Sequence, residues 1–231
     1  MTVGSRWWKG ALTACALVVG AGAGVYFLGL TSAKPVAVPP DEDLAQGAKD
    51  YLREKKPEPL PDDFVGPVKP LVPTEQHALL NQVAPGFTLP DADGKPVELD
   101  ELLSRGPVVV VFYLGYKCNH CVSQLFDMHE DIRHFRAAGA TVVAISPDES
   151  GHTKERYKKY GAFDFPVLAD TDHAVARRYG VSRPAGGGLP AWEAHGTFVI
   201  GRDRYIHWAK TGDEPFTGND TLLAELRRLG P

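Results

Sequence analysis

Cys118 and Cys121 stand three positions apart in the chain, and a Cys-x-x-Cys pair serves either redox chemistry or half of a metal site. Residues three apart share a face of a helix, so one thiol can attack a substrate sulfur while the other resolves the mixed disulfide. The thiolate is the reactive form, and the free N–H groups and dipole at a helix start favour it. Lys117 adds positive charge beside Cys118, so the sequence names Cys118 as nucleophile and Cys121 as resolving thiol. A closed metal site needs two more ligands. His120 lies inside the motif, with His129 and His134 further on, yet no second paired motif accompanies them. Haem attachment fails because Val122 occupies the position where that motif requires histidine. The catalytic candidates are therefore Cys118 and Cys121, and no cofactor is implied.

The elements around this pair must hold it at a strand-to-helix junction. The run Val108-Val109-Val110-Val111-Phe112 reads as a strand buried on both faces. The cysteines follow it directly, and Val122, Leu125, Ile132 and Phe135 recur at helical spacing in a helix expected to end at Gly139. Before the strand, 87–89 and 97–99 flank the turn Asp91-Ala92-Asp93-Gly94 as a hairpin. After it come a buried strand over 141–146, a helix over 153–160, a short strand over 166–168 and a helix over 172–179. A second hairpin, 197–200 with 205–208, and a helix over 221–229 close the chain. Strands alternating with helices give an α/β class, with a mixed central sheet flanked by helices and antiparallel at its hairpin edge.

Composition narrows the partners. The 231 residues are 43% hydrophobic and 23% charged, with a net charge of −4 and no basic block, which offers nucleic acid no surface. Three cysteines exclude a disulfide-dense scaffold. Residues 1–33 read as a membrane anchor or uncleaved signal. Arg6 and Lys9 precede an uncharged run over 10–30, long enough to span a hydrocarbon core about 30 Å thick, with Trp7 and Trp8 at its edge. The positive end stays in the cytoplasm, so the remainder is expected outside it, in a bacterial periplasm or at the cell surface. Thr31-Ser32-Ala33 as a cleavage site and Leu12-Thr13-Ala14-Cys15 as a lipobox are the rival readings. Residues 34–83 form a proline-rich linker with one polar helix expected over 41–56, and 84–231 form the folded domain.

The opening Ala84-Pro85-Gly86-Phe87-Thr88-Leu89 through Asp93-Gly94-Lys95-Pro96-Val97 resembles the AhpC/TSA peroxiredoxins of the thioredoxin superfamily. The likeness continues through Val109–Tyr113, Val143–Pro147, Phe165–Asp170 and Thr197–Ile200. It implies a thioredoxin fold and either peroxide reduction or thiol–disulfide exchange. The family motif Pro-x-x-x-Thr/Ser-x-x-Cys places the peroxidatic cysteine on Cys121, which puts Leu114 at the proline and Cys118 at the threonine. The family's distant arginine falls on His195, and the cis-proline of thioredoxins falls on Gly196.

Three functions follow from these readings. The leading one is a membrane-tethered thiol–disulfide oxidoreductase, an enzyme acting on protein thiols or disulfides and recharged by an upstream thiol reductant. The second is an atypical peroxiredoxin that reduces hydroperoxides, an antioxidant activity. The third is a copper-binding module similar to Sco-type chaperones, using Cys118, Cys121 and His195, because thiolate and imidazole suit copper.

Overall fold

The structure is a computed structural model that describes residues 41–55, 59–66, 71–116, 118, 120–186 and 191–230. All of them fall within the compact unit Val38–Pro231. The expected membrane helix over 10–30 and the charge on Lys117 lie outside the described residues. Among the described residues no helix is long and apolar enough to cross a membrane.

The chain runs α1 (Asp41–Lys55), β1 (Thr88–Pro90), β2 (Pro96–Glu98), α2 (Leu99–Arg105), β3 (Val108–Phe112), α3 (Ser123–Glu130), α4 (Ile132–Ala137) and β4 (Thr141–Ser146). It continues through α5 (Ser150–Tyr160), β5 (Val167–Ala169), α6 (Ala174–Arg178), β6 (Ser182–Arg183), β7 (Trp192–Glu193), β8 (His195–Ile200), β9 (Ile206–Gly212) and α7 (Asn219–Leu229). The central sheet has the order β5-β4-β3-β8-β9. β3 pairs parallel with β4 and antiparallel with β8, which is the mixed sheet of a thioredoxin-like fold.

β3 lies at the middle because every one of its residues is apolar and can face a packed layer. Val109 and Val111 join Val122, Leu125, Phe135 and Leu222 on one side. Val108, Val110 and Phe112 join Leu99, Leu102, Val175 and Tyr179 on the other. Burying each such side chain contributes about 1.5–3 kcal/mol, so this strand is a firmly held platform for a site at its end.

One expectation is corrected. The helix expected to run on to Gly139 is broken at Asp131, between α3 and α4. The Asp131 carboxylate is buried there, accepting the Leu60 N–H (2.8 Å) and the Asn219 side-chain amide (2.8 Å). A buried carboxylate requires such partners, and meeting them takes this residue out of helical geometry. The packed body also reaches back beyond residue 84. Ala48 and Leu52 of α1 are buried, and α1 packs on α3 and α5. The segment around 72–75 covers the outer edge of β9: Thr74 and Glu75 bond Ala209 and Thr211, and the Trp208 indole donates to the Val72 carbonyl at 3.1 Å. An edge strand leaves N–H and C=O groups unpaired, and this segment supplies partners for them.

Candidate active site

The site forms where β3 ends. Gly115 takes φ +87°, and a Cβ there would stand 2.6 Å from an Asp148 carboxylate oxygen. Glycine lets that carboxylate close in and accept the Tyr116 N–H at 2.8 Å. Asp148 comes from the loop after β4, so two neighbouring strands jointly fix the loop leading into Cys118. His152 Nδ1 lies 3.2 Å from Asp148, and His152 Nε2 lies 3.0 Å from Arg156. Tyr113 and Tyr116 are buried beside this chain, and burial raises both hydroxyls above their usual pKa, keeping them neutral.

Cys118 and Cys121 are joined in a disulfide, with their Cα atoms 5.2 Å apart. The Cys121 N–H donates to the Cys118 carbonyl at 3.1 Å, closing a turn. Cys118 is half-buried and Cys121 is fully buried. Regular helix begins only at Ser123, after both cysteines, with Val122 as its cap. The sequence places the helix start under Cys118, whereas the α3 start and its dipole lie nearer Cys121 in the structure. Helix-start stabilisation of a thiolate therefore favours Cys121.

Cys118 Sγ lies 3.4 Å from His120 Nδ1 and 3.6 Å from Nε2. His195, at the start of β8, is 2% exposed, and its ring centroid is 6.0 Å from that of His120. Neither His195 ring nitrogen makes a hydrogen bond. Burial pushes its pKa below the usual imidazole value, and the facing His120 adds to this. The Asp213 and Gly212 backbone, near but outside normal hydrogen-bond geometry, pulls the other way. Gly196 follows, where a Cβ would meet Val181 at 2.6 Å and the Phe198 ring at 2.9 Å, so a proline ring has no room at the thioredoxin position.

The remaining histidines of the helical segment take structural roles. His129 accepts the Asp164 N–H at 3.1 Å, and His134 packs against Phe64 with ring centroids 5.8 Å apart. The sequence gives no sign of Tyr51 and Glu214 at the site. The Tyr51 ring lies 5.8 Å from His120, and its hydroxyl donates to Glu214 at 2.8 Å. Only the polar helix around Tyr51 was legible, not the surface it covers.

The AhpC/TSA family profile matches residues 80–209, which takes in most of the central sheet, both cysteines and His195. The chain belongs to the AhpC/TSA family. A chloroplastic peroxiredoxin Q of Oryza sativa subsp. japonica is 34% identical over 125 residues, covering 54% of this chain and 55% of that protein. The chloroplastic peroxiredoxin Q of Sedum lineare is 34% identical over 142 residues, covering 59% of this chain and 74% of that protein. The matched region thus spans about half the length of the rice relatives. Among solved structures, peroxidoxin BcpB from Mycobacterium tuberculosis superposes with a TM-score of 0.60 at 29% identity, covering 67% of this chain and all of that one.

Proposed function

We propose that this domain is a thiol peroxidase of the peroxiredoxin Q kind, in which Cys121 attacks hydroperoxide and Cys118 resolves. This reverses the order in which the sequence alone ranks peroxide reduction and protein disulfide exchange. The observation that carries it is the coincidence of the family's peroxidatic register with the structure: Cys121 is the cysteine nearest the α3 start, and its disulfide partner is already Cys118. The likeness to chloroplastic peroxiredoxin Q proteins supports the same reading.

In the first step the Cys121 thiolate attacks the distal peroxide oxygen. The O–O bond breaks, and the alkoxide takes from solvent the proton that the Cys121 thiol released on ionising and leaves as alcohol. Cys121 is then a sulfenic acid. The Cys118 thiol attacks that sulfur, water leaves, and the disulfide forms. An external dithiol returns two electrons and two protons. In the disulfide, the turn joining the Cys121 N–H to the Cys118 carbonyl holds the two cysteines together.

A reductant-coupled peroxide assay tests this. Wild type should consume hydroperoxide, Cys121→Ser should not, and Cys118→Ser should stop after one turnover with sulfenic acid on Cys121. Sulfenic acid on Cys118, or reduction of a protein disulfide without peroxide consumption, would favour thiol–disulfide exchange. That second reading rests on the greater exposure of Cys118 and on Leu114, Cys118 and His195 replacing the family's proline, threonine and arginine. We further infer that 1–33 anchors the domain to a membrane from outside the cytoplasm, the basis being the uncharged run over 10–30 behind Arg6 and Lys9.

A further inference from the structure

The dithiol site also has the donors of a metal centre. Among the described residues Cys118, His120 and Cys121 are the group whose ligand atoms converge, all lying within 4.8 Å of one another. A three-coordinate metal with bonds of about 2.3 Å to sulfur and about 2.0–2.1 Å to nitrogen separates its S and N ligands by about 3.8 Å. Cys118 Sγ lies 3.4 Å from His120 Nδ1 and 3.6 Å from Nε2, so a small shift of the ring would bring one nitrogen to that spacing.

We propose that the reduced protein binds one thiophilic monovalent cation, Cu(I), through Cys118 Sγ, Cys121 Sγ and one ring nitrogen of His120. Reduction of the disulfide by an external dithiol supplies two electrons and two protons and frees two thiols. Each thiol then loses its proton to solvent as it bonds the cation. Two soft thiolates with one imidazole select Cu(I). No carboxylate joins the cluster among the described residues; three donors complete a trigonal Cu(I) site, whereas zinc would need a fourth ligand, such as water, to complete its tetrahedron. His195 stands outside the converging set. It forms a buried wall behind His120 rather than supplying the third donor, which moves the imidazole from the position the sequence suggests. Because the same sulfurs serve peroxide reduction, bound Cu(I) and disulfide formation exclude each other.

The test is an anaerobic titration of the full, phosphine-reduced chain with Cu(I) against a chromophoric Cu(I) chelator. One equivalent should be retained, and X-ray absorption should show two sulfur neighbours and one nitrogen. Cys118→Ser and Cys121→Ser should each abolish retention. His120→Ala should weaken it at least ten-fold, while His195→Leu should leave it within two-fold. Oxidising each histidine variant and finding the Cys118–Cys121 disulfide formed shows that the loop remains folded, independently of peroxide turnover. Failure to retain one equivalent, an unchanged affinity in His120→Ala, a larger loss in His195→Leu, or zinc held against excess Cu(I) would each overturn the assignment.

Discussion

The Tyr51 hydroxyl on α1 donates to the Glu214 carboxylate at 2.8 Å, while the Tyr51 ring lies 5.8 Å from His120. One residue N-terminal to the sheet thus links the dithiol loop to the chain beyond β9. Burial and the Glu214 hydrogen bond raise the Tyr51 hydroxyl to about 12, so it remains a donor at physiological pH. Ala48 and Leu52, buried beside it, hold α1 down by apolar packing. The redox loop is therefore covered on one side by an element outside the matched family region.

Tyr51→Phe removes this hydrogen bond and keeps the ring. A net loss of about 1 kcal/mol is expected, which speeds local opening about five-fold. Hydrogen exchange of the α1 amides should rise by that factor, while amides in β3 stay unchanged. Equal exchange in both proteins would show that Ala48 and Leu52 alone hold the helix.

Gly115 and Asp148 make a second coupled pair. Gly115→Ala forces a side chain into φ +87° and into the Asp148 carboxylate, for a cost of about 1–3 kcal/mol. Asp148→Ala strands the Tyr116 N–H, at a similar cost of about 1–3 kcal/mol. Because Asp148→Ala also removes the clash, the double variant should cost less than the sum of the singles in denaturant titrations. Strict additivity would mean that the loop relaxes away from Asp148.

The sheet, its hairpins and the location of the dithiol were legible because their signals are local. The five apolar residues of β3 have nowhere to go but the middle of a sheet, and Thr197–Ile200 with Tyr205–Trp208 carry a hairpin pattern. The helix break at Asp131 was not, because Leu60 and Asn219, which satisfy its carboxylate, are distant in sequence. The same holds for α1: its apolar content is small, and only the surfaces of α3 and α5 show which side of it is buried. His120 displaced His195 as the imidazole nearest the sulfurs because the turn before α3 folds His120 back over Cys118.

His195 predicts a pH dependence of stability. Its folded pKa is depressed, chiefly by burial, so the unfolded chain takes up its proton first as pH falls. The stability from keeping this ring neutral is complete above the unfolded pKa of about 6.5 and is lost as pH falls from there through the folded value. His77, also depressed by burial, acts with the same sign. Denaturation midpoints should therefore fall from pH 7.5 to 5.5, and His195→Leu should flatten part of that slope. Parallel slopes in the two proteins would remove His195 as the source.

The rate of the peroxide step is the last expectation. The family resemblance sets Leu114, Cys118 and His195 at the proline, threonine and arginine positions, and burial lowers the His195 pKa, so it is expected to supply less charge than a guanidinium. Loss of one preorganised donor typically costs about 10²–10³-fold in rate. Attack by Cys121 should therefore be slower than in a peroxiredoxin with the full motif, by at least about 10²-fold. Stopped-flow kinetics on the reduced protein measure this directly, because oxidation of the dithiol is a single event per chain. Any remaining acceleration is expected from the dipole at the α3 start, because the Cys121, Ser123 and Leu125 N–H groups are already taken by the Cys118, His120 and Val122 carbonyls. A rate equal to that of the full motif would show that His120 or Cys118 replaces the missing donors, and His120→Ala would then slow it.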